Sequence, residues 1–137
     1  MLARREHSRA ELTAKLIQKG YDEELVGGLV AALAAEGLVS DERFVEALVS
    51  VRRGRGFGPL RIRQELQDKG VAEELVDRWV DAGDRDWIEQ LQRVRVKKFG
   101  TMIPKGYAER ARQARFLQQR GFPAEQIRRV LNADDLD

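Results

Sequence analysis

Apolar residues recur along this chain at helical rather than alternating spacing. Leu12 with Leu16, and Ile62 with Leu66, stand four apart and are followed four residues later by Gly20 and Gly70. A third copy, Gln113 with Leu117 before Gly121, keeps the spacing, with Ala114 supporting its apolar stripe. Residues four apart share one face of an α-helix. Lys19, Lys69 and Arg120, just before each glycine, put a cation at the negative pole of the helix, and the glycine supplies a left-handed residue to end it. A second pattern follows each glycine. Leu25, Val26, Leu29 and Val30 align with Leu75, Val76, Trp79 and Val80, and with Gln126, Ile127, Val130 and Leu131, each set behind a start rich in acids or proline. Residues 40–51 and 86–94 show a third, longer helical pattern ahead of the second and third copies. Ser8 with Glu11 has the spacing of a capping box.

The order long helix, middle helix, short helix therefore repeats about every 50 residues, and such units need stacked neighbours to bury their apolar faces. The pattern predicts an all-α protein of tandem three-helix repeats in an elongated array: residues 1–39, 40–83 and 84–137. The first repeat lacks most of its opening helix, because only Leu2 to Arg5 stand where that helix belongs. Its Leu16 and Leu33 are expected to be left uncovered.

Composition adds exclusions. With no cysteine, a single histidine at His7 and no apolar run near the length of a membrane span, disulfides, zinc sites and a spanning helix are not expected. A cytoplasmic monomer without cofactor or metal is expected. The net charge of +2 conceals segregation. Residues 22–46 and 65–91 each sum to −6, residues 47–64 carry five basic and no acidic groups, and residues 92–120 carry nine basic and one acidic. Stacked repeats would gather Arg52, Arg53, Arg55, Arg61 and Arg63 on one face with Arg93, Arg95, Lys97, Lys98, Arg110, Arg112 and Arg115. Such a face suits a polyanion.

No residues assemble a catalytic site. Gly54, Gly56 and Gly58 lack the strand and spacing of a phosphate loop and form a connector, with Pro59 at a first helical position. Asp84 and Asp86 suit capping better than cation binding, and Ser8 beside His7 has no third partner. An enzyme is not expected. Phe44, Trp79 and Trp87 sit at core spacing, whereas Phe57, Phe99 and Tyr107 lie near basic residues and are the aromatics expected to contact a partner.

Several segments together resemble the bacterial RecX regulatory family. They are Arg4 to Leu12, Gly37 to Phe44, Arg52 to Val71, Lys97 to Gly100, and Phe116 to Phe122. The resemblance spans nearly the whole chain in order. It implies a curved array of three-helix repeats that binds the RecA recombinase filament on DNA, inhibits strand exchange and ATP turnover, and so modulates recombinational repair and the SOS response. Among matched positions it points to Arg52, Arg53, Arg61, Arg63, Lys97 and Lys98 for contact, with Ile62 and Leu66 in the core. The alternative from the residues alone is a helical protein that binds single- or double-stranded DNA directly, without reading sequence. A helical scaffold for an unrelated partner is a third.

Overall fold

The computed structural model describes residues 5–132, and among these the regular structure is entirely α-helical. Residues 2–4, where most of the opening helix of the first repeat would stand, lie outside the described residues. The helices are α1 (Arg9–Gln18), α2 (Glu23–Ala35), α3 (Asp41–Gly54), α4 (Pro59–Asp68), α5 (Glu73–Trp79), α6 (Arg85–Phe99), α7 (Tyr107–Arg120) and α8 (Ala124–Leu131). They fall in the expected order of tandem three-helix repeats, with α1, α4 and α7 as the middle helices.

Local chemistry sets the helix ends. The Ser8 hydroxyl accepts the Glu11 N–H at 2.9 Å, Asp22 accepts from Glu24 at 2.8 Å, and Asp84 accepts from Asp86 at 3.0 Å. Pro59 opens α4. Gly20, Gly70 and Gly121 end the middle helices with φ of 98°, 78° and 102°. The capping box is only half made, because the Glu11 carboxylate turns instead to Arg5 at 2.7 Å and Lys69 at 2.9 Å.

The chain forms two compact units. One comprises the residues up to Ser50 with Glu65–Trp79; the other comprises Val51–Gln64 with the residues from Val80 onward. Helices α3 and α4 thus each contribute to both. In the first unit Leu12, Val26, Val30 and Val39 form a buried cluster, and Leu16 and Leu33 are half-buried against it. The same unit exposes Tyr21 (62%), Leu25 (75%) and Leu29; Val71 and Phe122, which take the place of Tyr21 in the later repeats, are buried, and so is Val130, which takes the place of Leu29 in the third. In the second unit Leu91, Leu117, Phe122, Ile127, Val130 and Leu131 make the core. Phe44 and Trp87 are buried as their spacing suggested, and Trp79 is half-buried.

Each unit contains the same kind of joint. In the second, the Gly58 N–H donates to the Arg120 carbonyl at 2.7 Å and the Leu60 N–H donates to the Gly121 carbonyl at 2.9 Å. Amides at the start of α4, which have no partner within their own helix, thus satisfy carbonyls at the end of α7. The approach leaves no room for side chains: a Cβ on Gly58 would lie 2.6 Å from the Gly121 carbonyl, and one on Gly121 would lie 2.7 Å from the Arg61 nitrogen. In the first unit the Ser8 hydroxyl donates to the Lys69 carbonyl at 2.7 Å, and a Cβ on Gly70 would collide with Ala10. The start of one middle helix is pressed against the glycine that ends another.

Candidate functional site

The second unit holds an open cleft of about 550 Å³. Helix α3 ends beside it with Arg53, and Arg55 follows in the connector; helix α6 contributes Arg93, Lys97 and Lys98, and helix α7 contributes Arg120. Spacing on α6 explains its share: positions 90, 93, 94 and 97 follow one helix face at intervals of three and four, so Gln90 and Val94 line the cleft with Arg93 and Lys97. Gly54 and Gly56 also line it; Gly56 lies close against α6, where a Cβ would stand 3.3 Å from the Val94 side chain, whereas Gly54 has open space beside it.

No carboxylate lines this cleft, and none of its six cations belongs to an ion pair among the described residues. Four of them are held by neutral groups instead. The Arg53 guanidinium lies 4.5 Å over the Trp87 ring, and its carbonyl accepts from Gln90 at 2.7 Å. Arg93 donates to the Gln90 side chain at 3.0 Å. Lys98 and Arg120 lie 5.4 and 5.2 Å over the Phe116 ring, and Arg120 also donates to the Arg55 carbonyl at 3.2 Å. Cation–π contacts and carbonyls orient a cation without cancelling its charge. The result is a positioned, unneutralised cluster suited to phosphate or carboxylate groups.

Five of the residues expected on a basic face, Arg53, Arg55, Arg93, Lys97 and Lys98, share this cleft. Arg52 is half-buried outside it. Arg61 lies over the Phe57 ring at 4.2 Å and donates to the Gln119 carbonyl, while Arg63 donates to the Val80 carbonyl at 2.7 Å. Arg112 is fastened to Glu109 through two hydrogen bonds of 3.0 and 2.8 Å; with Gln113 it holds that exposed carboxyl down to about 2. Arg110 and Arg115 line a separate groove beside α8.

Arg95 corrects the expected list of surface contacts. It is only 2% exposed, and it donates to the Gln92 side chain and to the carbonyls of Gly100 and Met102. It organises the connector after α6 rather than facing a partner. Phe57 and Phe99 also serve inward, because guanidiniums cover their faces and Phe99 meets Phe116 edge-on at 5.3 Å. Only Tyr107, 82% exposed, is left fully presented. Arg120 is the member of the cleft that sequence did not single out. Its place before Gly121 marked it as a helix-end cation, and nothing in the spacing brought it to α3.

Among the described residues no cluster of three or more His, Asp or Glu could hold a metal ion, and no helix is long and apolar enough to cross a membrane. Ser8 spends its hydroxyl on Glu11 and Lys69, away from any nucleophilic arrangement.

Three family models match the chain in succession: the first three-helix domain of RecX over residues 1–30, the second over 40–78 and the third over 84–131. The Regulatory protein RecX of Halorhodospira halophila is 45% identical over all of this chain and 85% of its own length. That of Pseudomonas putida is 43% identical over all of this chain and 88% of its own. In fold, the chain is similar to the crystal structure of RecX from Lactobacillus salivarius, with a TM-score of 0.78, 18% identity, and coverage of 99% of this chain and 90% of the other. A second crystal structure of regulatory protein RecX gives a TM-score of 0.76 at 20% identity, covering 96% of this chain and 66% of the other. A three-domain match in order and relatives above 40% identity along the whole chain, on a helical repeat architecture, place this chain in the RecX family of regulatory proteins.

Proposed function

We propose that the protein binds the RecA recombinase filament on DNA and restrains its strand exchange and ATP turnover, with the cleft of the second unit as a principal contact. The family supports the partner. The observation that carries the site is the group of six cations without a neutralising carboxylate, four of them, Arg53, Arg93, Lys98 and Arg120, oriented by rings or by neutral oxygen acceptors. A filament repeats its phosphates and acidic groups at fixed intervals, so several modest contacts on one chain add through effective concentration. Recognition is of charge in a repeating arrangement, not of base sequence.

The test is RecA-dependent ATP hydrolysis and strand exchange on single-stranded DNA with Lys97→Glu/Lys98→Glu and Arg93→Glu/Arg120→Glu variants. Inhibition is expected to weaken by about tenfold or more in each. Full inhibition by variants of unchanged helicity would remove the cleft from the mechanism. Direct, sequence-independent DNA binding is a second reading, supported by the same uncompensated charge. It requires tight binding to naked DNA with a steep salt slope. Inhibition at protein concentrations too low to bind naked DNA separates the two.

A further inference from the structure

The groove between α7 and α8, on the second unit, differs in kind from the cleft. It is about 560 Å³ in volume, and its floor is aliphatic. Ile127 and Leu131 are core residues of α8 that reach it from below, and Ala111 and Ala114, one turn apart on α7, keep the floor low because they carry only a methyl group. The rim is cationic, with Arg110 and Arg115 from α7 and Arg128 from α8. None of these three is in an ion pair among the described residues, and the neighbouring acid on α7, Glu109, is already fastened to Arg112. Tyr107 stands almost fully exposed at the mouth.

Phosphate groups need the rim but gain nothing from the floor. An aliphatic side chain gains from leaving water for such a floor, and exposed Tyr and Arg around it are the residue types that anchor protein interfaces. We propose that this groove docks an acidic protein segment that lowers one aliphatic side chain onto Ala111, Ala114 and Ile127 while its carboxylates pair with Arg110, Arg115 and Arg128. This interaction is separate from phosphate contact in the cleft and does not depend on the filament reading.

The test is fluorescence anisotropy of the full chain with a labelled Glu-Asp-Asp-Leu-Asp-Glu peptide, its Leu→Ser version, and a thymidine oligonucleotide of matched charge. Saturable peptide binding in the micromolar to millimolar range is expected. It should weaken about tenfold on removal of the leucine and by at least as much in Arg110→Glu/Arg128→Glu. Lys97→Glu/Lys98→Glu, which lie in the cleft, should leave it unchanged. Because both substituted arginines lie at the rim, circular dichroism is expected to show unchanged helicity; as a second variant, Ala111→Gln raises the floor without altering charge and should weaken the peptide alone. The proposal is overturned by equal affinity for the leucine and serine peptides, by preference for the oligonucleotide at the Arg110 and Arg128 rim, or by no saturable binding up to millimolar peptide.

Discussion

Glu11 illustrates how one side chain is redirected by its surroundings. Its carboxylate is 6% exposed, and burial alone would raise its pKa; hydrogen bonds from Arg5 and Lys69 outweigh that and hold it at about 2. Beside it, buried His7 is pushed below its ordinary value by desolvation and then by Arg5 and Lys15. It stays neutral, bonded between the Arg5 carbonyl at 3.1 Å and the Lys15 ammonium at 3.4 Å. Both groups bind protons less readily folded than unfolded, so both favour folding at neutral pH and lose that contribution on acidification. The His7 share should fade as pH falls below about 6.5, and the Glu11 share as pH falls from about 4.3 through about 2. Denaturant titrations from neutral pH downward should show stability falling first in the His7 range. His7→Gln should abolish that first decline, while Glu11→Gln should remove about 2 kcal/mol at neutral pH, reduced from the full buried-pair value because Arg5 and Lys69 are partly solvated.

At the scale of elements, the joint between α4 and α7 is the most demanding contact in the second unit. Gly121→Ala meets two obstacles at once, a left-handed backbone and a Cβ pressed onto Arg61. It should lower stability by about 2–4 kcal/mol in a urea titration, whereas Gly20→Ala, with a left-handed backbone but open space around it, should cost only about 1 kcal/mol. Equal losses would mean that the close approach is unimportant. This difference marks where sequence stopped being informative. The three glycines announced helix ends, and Ser8, Pro59 and Asp84 announced starts, because capping is local chemistry. That Gly58 would lie against Gly121, 63 residues away, had no local signal. The same limit applies to charge. Block sums located the basic segments, but Arg95 turns inward on its own connector and Arg120 reaches the cleft, choices made by tertiary packing rather than by spacing.

For the molecule as a whole, a cleft of uncompensated cations should make stability depend on salt in an unusual direction. Exposed ion pairs weaken as salt is added, but like charges held together are relieved by screening. The melting temperature is therefore expected to rise between about 0.01 and 0.2 M salt, and to rise further with inorganic polyphosphate through binding to the folded state. Lys97→Glu/Lys98→Glu should flatten both responses; an unaltered salt dependence would show that the cleft is not under electrostatic stress.

The joints described above carry a different consequence, one for divergence. They bring main-chain amides and carbonyls against glycine, and the side-chain bonds beside them, from Ser8 to the Lys69 carbonyl, from Lys69 to Glu11 and from Arg61 to the Gln119 carbonyl, come from only a few positions. Few positions must keep their identity for the repeats to hold together, and the surfaces between them are free to drift. A protein 18% identical in sequence can then share the fold at a TM-score of 0.78, and the charges displayed on that fold can be rewritten for a new partner without rebuilding the frame.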